Sequence, residues 1–97
     1  MHVITKKRLR EFAVKHGEAA KPLGVWYTIM SRSDFGSFAE IKRAFGSVDK
    51  VGMFSVFDIG GNKYRLIAAI HYNRKKVYIR HILTHAEYDR NKWKEQP

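Results

Sequence analysis

The feature that most constrains this chain is a hairpin signal in its second half. Gly60-Gly61 stands between two runs rich in β-branched and aromatic residues, Met53 to Ile59 and Lys63 to Tyr72. A third such run covers Val77 to Thr84. Side chains of this kind suit the pleated, half-buried surface of a strand. Paired glycines accept the positive φ that both central positions of a two-residue hairpin turn require. The polar stretch Asn73 to Lys76 supplies a second turn. Three successive strands with short turns dictate an antiparallel sheet.

The turns also set the expected register. A two-residue Gly60-Gly61 loop pairs Phe57 with Tyr64 and Val56 with Arg65. A four-residue Asn73 to Lys76 loop pairs Tyr72 with Val77, Ala69 with Arg80 and Arg65 with Thr84. Alternation along each strand then sorts the side chains. One face collects Ser55, Phe57, Ile59, Tyr64, Leu66, Ala68, Ile70, Tyr72, Val77, Ile79, His81 and Leu83, and is expected to form the core. The other collects Lys63, Arg65, His71, Tyr78, Arg80 and Thr84. A slip of one residue in either hairpin scrambles this partition.

Upstream the period is helical. His2 to Thr5 forms a short apolar strand. Leu9, Phe12, Ala13 and His16 then recur at i, i+3, i+4 and i+7 in a helix from Lys6 to His16, with Thr5 as its expected cap. Pro22 suits the start of a second helix, carrying Leu23, Trp26, Tyr27 and Met30. Ser37 and Glu40 have capping-box spacing before a third helix, which buries Phe38, Ile41, Ala44 and Phe45. Thr84 and Glu87 repeat that spacing ahead of a final helix expected to run through Trp93. Helices and an antiparallel sheet segregated along the chain define an α+β domain, with helices packed on one sheet face. The 97 residues suffice for one core and not for two.

Charge points to the partner. Nineteen Lys and Arg oppose nine Asp and Glu, for a net charge of +10. Solubility of a small domain needs a magnitude of only about 2–8. The excess favours a polyanion, and nucleic acid is the usual one. There are no cysteines, which excludes disulfides, thiolate zinc sites and cysteine nucleophiles and suits a reducing cytoplasm. No apolar stretch approaches the roughly 20 residues that span a bilayer, and the basic opening does not read as a signal peptide. Membrane partners are therefore not expected.

The basic and aromatic sheet face suits RNA, since cations hold phosphates and rings stack on unpaired bases. Alternatively, Arg65 and Arg80 pair with carboxylates such as Asp58 and Glu87. At the end of the last strand, His85, Tyr88 and Asp89 share one side of a helix. Histidine moves protons near neutral pH, tyrosine assists or stacks, and aspartate orients the imidazole. The competing assignments are a locally bonded first-turn His85, packing roles for Tyr88 and Trp93, and a solvated Asp89 beside Lys92. His81 and His85 have metal-compatible spacing, but the register buries His81 and offers no third ligand, so neither metal nor cofactor is expected. Nucleophile elbows, phosphate-binding glycine loops and dinucleotide fingerprints are absent. Chemistry at such a site would use bases, cations and a nucleophile carried by the substrate, such as the RNA 2′-OH. A non-catalytic RNA- or DNA-binding module needs the same basic face without a proton-transfer group. An interaction protein that docks an acidic partner is the other alternative.

The string Val56-Phe57-Asp58-Ile59-Gly60-Gly61-Asn62-Lys63-Tyr64-Arg65-Leu66-Ile67, followed by Tyr78-Ile79-Arg80 and Thr84-His85-Ala86-Glu87-Tyr88-Asp89, resembles the HigB toxin family. His2-Val3-Ile4, Trp26 and the Phe38 to Lys42 region are similar too, so the resemblance spans nearly the whole chain. One departure is Asp58, where the family commonly has Asn. The resemblance implies a single RelE-like toxin domain over residues 1–97, and an mRNA-cleaving endoribonuclease acting on the ribosome. It also implies neutralisation by a HigA antitoxin of helix-turn-helix type. On that basis Arg65, Arg80, His85 and Tyr88 are the candidate catalytic residues. Asn62, Lys63, His71, Tyr78, Lys6 and Lys7 are the candidate RNA-binding ones, the last two as a general electrostatic surface.

Overall fold

The computed structural model describes residues 1–95. In chain order it comprises β1 (His2–Ile4), α1 (Lys7–Lys15), a 3-10 turn (Gly17–Ala19), α2 (Ala20–Arg32), α3 (Phe38–Ala44) and β2 (Asp49–Val51). There follow β3 (Phe54–Ile59), β4 (Tyr64–His71), β5 (Lys76–Thr84), α4 (His85–Asp89) and a second 3-10 turn (Lys92–Lys94). The strands form one sheet in the order β1-β5-β4-β3-β2, antiparallel except that β1 lies parallel to β5. This is the expected α+β architecture with an antiparallel-dominated sheet and a short C-terminal helix. The sequence reading missed β2, whose three residues are too few to show a period.

The first three helices cover one sheet face. There the fully buried Trp26 packs edge-on to Phe57 at 5.5 Å, and Phe45 does so at 5.1 Å. Leu66, Ala68, Val77 and Ile79 complete that core from the sheet side. Phe57 and Trp26 carry much of the apolar burial, since each large side chain removed from water contributes about 1.5–3 kcal/mol or more.

Three register details depart from expectation. In the second hairpin His71 faces Lys76 and Ile70, not Tyr72, faces Val77, so its four-residue loop is Tyr72 to Lys75 instead of Asn73 to Lys76. Ala69 faces Tyr78 rather than Arg80, and Arg65 faces Leu83 rather than Thr84. The first hairpin is shifted as well. Ile59 faces Tyr64 and Phe57 faces Leu66, so the first hairpin has a four-residue loop, Gly60 to Lys63, rather than a two-residue one. Gly60 and Gly61 do take positive φ, at 63° and 70°. The shift is two residues, which preserves every face assignment in β3 and β4. The third departure, within β5, does not. Ile67 pairs with His81 but Ala68 pairs with Ile79, which leaves Arg80 as the extra residue of a β-bulge. Beyond a bulge the alternation inverts. Ile82 and Thr84 therefore take the helix-covered side, opposite Leu66 and Tyr64, while His81 and Leu83 turn to the other face.

The helix ends show smaller differences. Thr5 does not cap α1 with its side chain. It lies at φ 68°, and its hydroxyl accepts the Ile79 backbone N–H at 3.1 Å, tying β1 to β5. The second helix opens at Ala20, two residues before Pro22. Ser37 caps α3 as expected, accepting from the Glu40 N–H. The Thr84–Glu87 capping box forms in both directions, at 3.2 and 2.9 Å. The helix that it opens stops at Asp89 instead of continuing to Trp93. Asn91 adopts left-handed φ 60° and reverses the chain, so that Trp93 folds back onto the sheet.

Candidate functional site

The sheet face away from the three large helices is only partly open. Val56 and Ile67 are buried there beneath Trp93, with Phe54, Val51, Leu83 and Tyr88 packed around them. This second apolar cluster was not foreseen. Its signal, the aromatic pair Tyr88 and Trp93, was visible but was placed on a continuous helix.

Arg65 stands at the edge of this cluster and is the best-positioned cation on the face. Its side chain is only 11% exposed, and its Nε lies 3.1 Å from Asp58 Oδ1 on the adjacent strand. Nη2 donates to Asn62 Oδ1 at 2.6 Å, and Nη1 donates to the Tyr64 carbonyl at 3.2 Å. The Tyr88 ring sits 5.6 Å from the guanidinium carbon. A planar fork held by a carboxylate, an amide and an aromatic ring has little freedom left, which is the geometry suited to a fixed anion. Asn62 is thus engaged with Arg65, a role that its expected contact with RNA did not include. The expected pairing of Arg65 with Asp58 is present. Glu87 is instead occupied by the cap of α4.

His85 opens α4. Its backbone N–H donates to the Lys63 carbonyl at 3.0 Å, which pins the helix start to the β3–β4 loop. Its Nδ1 lies 2.7 Å from Asp89 Oδ2, one turn on. A carboxylate on Nδ1 fixes the ring and leaves Nε2 as the nitrogen that can give or take a proton. The imidazole is 43% exposed, so a ligand can reach it. Burial raises the pKa of Tyr88 above the ordinary phenol value. Arg65 pulls it in the opposite direction, while the charges of Asp49, Asp58 and Asp89 add to the rise. Tyr88 therefore presents a neutral hydroxyl at neutral pH, a donor rather than a base.

The remaining nominated residues spread out. Lys63 makes an exposed ion pair with Glu18 at 3.5 Å. His71 and Tyr78 meet edge to face at 5.2 Å, and the Arg80 guanidinium carbon is 5.8 Å from the Tyr78 ring. Arg80 lies three residues along β5 from Leu83, the cross-strand partner of Arg65, or roughly 10 Å at the usual rise of a strand. The two guanidinium groups keep different company, Arg65 with Asp58, Asn62 and Tyr88 and Arg80 with Tyr78. Lys6 lies on the helical side of the molecule, its ammonium 4.6 Å over the Tyr27 ring, and Lys7 is exposed at the start of α1. With His81 turned outward, the burial argument against it as a metal ligand falls. Among the described residues no group of three His, Asp or Glu side chains converges.

A small α+β fold with a cationic, aromatic and imidazole-bearing face is of the class chemically suited to a polyanion. Residues 19–91 match the family model HigB_toxin, described as the RelE-like toxic component of a toxin–antitoxin system, and the chain belongs to that family. It is 36% identical over 93 residues to the mRNA interferase HigB of Escherichia coli O6:H1, covering 93% of this chain and 90% of that protein. It is 33% identical over 92 residues to the mRNA interferase toxin HigB of Escherichia coli strain K12 and to the mRNA interferase HigB of Shigella flexneri, covering 88% of each. No helix among the described residues is long and apolar enough to cross a membrane.

Proposed function

We propose that this chain, acting as one toxin domain, is a cytoplasmic endoribonuclease that cleaves mRNA on the ribosome and is restrained by a HigA-like helix-turn-helix antitoxin. Family membership and the names of its relatives support RNA cleavage. The observation that carries the site is the nearly buried Arg65 guanidinium, held by Asp58, Asn62 and Tyr88 beside the His85–Asp89 pair on the same short helix.

The chemistry follows from what these groups can do. The 2′-hydroxyl of a nucleotide attacks the adjacent phosphorus. The O2′–P bond forms and the P–O5′ bond breaks, leaving a cyclic phosphate and a free 5′-hydroxyl. Arg65 holds the scissile phosphate and stabilises the charge that builds on its oxygens, an interaction that can contribute several kcal/mol when preorganised. His85, oriented by Asp89, exchanges a proton through Nε2, and such a group typically contributes about 10²–10⁴-fold. Tyr88 donates from its neutral hydroxyl and stacks. Arg80, with Tyr78 and His71, binds the backbone further along β5. Lys63 extends the contact at the loop, and Lys6 with Lys7 forms a basic surface toward ribosomal RNA.

Inducible expression in a bacterial host, with mRNA 5′ ends mapped, tests this reading. Wild type is expected to arrest growth and create new 5′ ends. Arg65→Ala and His85→Ala, folded by circular dichroism, are expected to do neither. Intact mRNA and normal growth with abundant folded wild type would reject it.

A further inference from the structure

Pressed against the Arg65 site is a cleft that the cleavage reading leaves unused. His81 and Leu83 on β5, Glu87 and Arg90 at α4, and Lys92 and Trp93 beyond it line a volume of about 250 Å³. This lies below the range of drug-sized pockets and is of the order of a single planar heterocycle. It exists because of two local irregularities. The Arg80 bulge turns His81 and Leu83 to this face, and the left-handed Asn91 brings Trp93 back over it.

Three properties of the lining agree on one ligand chemistry. Trp93 is 4% exposed, yet its indole N–H has no hydrogen-bond partner. A buried donor left unpaired costs about 1–3 kcal/mol, which a ligand acceptor recovers once a small shift of the Trp93 ring uncovers the indole N–H. Trp26 has the same deficiency, but it is sealed edge-on to Phe57 in the helix-covered core. Charge is the second property. Arg90 and Lys92 are exposed cations, whereas the Glu87 carboxylate accepts the Thr84 N–H within the cap. The third is continuity. Trp93 stacks on Tyr88 with an interplanar angle of 14°, and Tyr88 carries Arg65 on its ring. Leu83 is also the direct cross-strand neighbour of Arg65. A flat group with hydrogen-bond acceptors, joined to a phosphate and lying one unit from the phosphate at Arg65, fits this surface.

We infer that the His81–Leu83–Trp93 cleft is a base subsite, which receives the nucleobase next to the scissile phosphate and sets the base preference of cleavage. On binding, the Trp93 ring shifts so that its indole N–H donates to a ring or carbonyl acceptor, Leu83 and the aromatic edge contact the base plane, and Arg90 and Lys92 take the attached phosphate. This inference rests on the cleavage reading for its biological meaning, while the binding site itself can be tested without cleavage.

The chain has two tryptophans, so Trp26→Phe leaves Trp93 as the sole indole reporter. Titrating that variant with AMP, GMP, CMP and UMP, and with inorganic phosphate, is expected to change Trp93 fluorescence. The nucleotides should differ among themselves at least several-fold in affinity, and phosphate alone should bind far more weakly. The Arg90→Ala/Lys92→Ala double variant, whose side chains are exposed, should weaken all four about ten-fold. In cleavage mapping, this double variant and the shape-conserving Trp93→Phe should shift the base frequency at one position beside the cut. Arg65→Ala should abolish cutting yet keep mononucleotide binding. Equal response to all nucleotides and phosphate, no response at millimolar concentration, or an unchanged base profile in an active Trp93→Phe enzyme would each overturn the subsite. A wild type that binds mononucleotides selectively but cuts no RNA would reject the cleavage reading and leave the subsite standing.

Discussion

At the scale of the residue, we propose that Asp58 governs how much of the Arg65 charge is offered to a substrate. Where the resembled family commonly carries Asn, this chain places a carboxylate 3.1 Å from the guanidinium. Asn at this position keeps an acceptor oxygen in place and removes the charge. We expect Asp58→Asn to bind a short single-stranded RNA about ten-fold more tightly at low salt, equivalent to about 1.4 kcal/mol, as measured by fluorescence anisotropy. An unchanged or weaker affinity would show that Asp58 serves only to position Arg65. A second residue pair sets pH behaviour. The Tyr64 hydroxyl donates to the Glu18 carboxylate at 2.5 Å, lowering the Glu18 pKa with help from Lys63 and raising that of Tyr64. The depressed carboxylate contributes stability above its unfolded value near 4.5, lost as pH falls through the folded value. The raised phenol contributes stability below its unfolded value near 10, lost as pH rises through the folded value. Tyr64→Phe should therefore melt lower than wild type between those limits, with the gap closing in acid and in strong alkali. Calorimetry across pH would detect this, and a gap independent of pH would assign the loss to packing alone.

At the scale of the element, the strands and the capping box were legible because each rests on local chemistry. The change from helical to alternating period at Met53, the glycines at the first turn and the Thr84–Glu87 spacing all act within a few residues. His85, Tyr88 and Asp89 could be grouped on that basis alone, whereas Arg65 joined them only through the family resemblance. The Arg80 bulge could not be anticipated, because strict alternation has no mark for one extra residue in a strand whose two faces are both apolar. That single residue moved His81 and Leu83 to the outer face and Thr84 to the inner one. Nor was the chain reversal at Asn91 visible beside good helix formers. The His85–Asp89 pair depends on the cap that opens α4, since five residues cannot sustain a helix unaided. Losing an N-cap hydroxyl costs about 1 kcal/mol, or roughly 4–8 °C in Tm for a domain of this size. Thr84→Ala should show that loss by thermal melting and should lower cleavage by more than the folded fraction explains, because His85 loses its fixed position. Thr84→Ser should restore both. A variant that melts lower but cleaves in proportion to its folded fraction would show that the cap serves stability only.

At the scale of the whole molecule, we propose that the net charge of +10 serves two surfaces with different partners. Arg65, Arg80, Arg90 and Lys92 lie on or around the face that carries the His85–Asp89 pair. Lys6, Lys7 and Arg10 belong to the α1 segment, which packs with α2 on the opposite side of the sheet, while Arg8 reaches β5 and donates to the Arg80 carbonyl at 2.5 Å. If four phosphates are neutralised by the first group, the affinity for single-stranded RNA should fall with a logarithmic salt slope of about −3, since each contact contributes about −0.7. Between 50 and 200 mM salt this amounts to about a 50-fold loss. Removing Arg90 and Lys92 should make the slope shallower by about 1.4. Removing Lys6 and Lys7 should leave the slope for a short oligonucleotide close to its original value, because such a ligand cannot reach around the sheet. Their removal should weaken, and make less salt-dependent, only the binding of a partner large enough to touch both faces, such as a ribosome. Anisotropy with a six-nucleotide RNA and sedimentation with ribosomes, each over a salt series, separate the two surfaces. A short-RNA slope that drops equally for both double variants would mean that the charges act as one diffuse field and that no distinct RNA face exists.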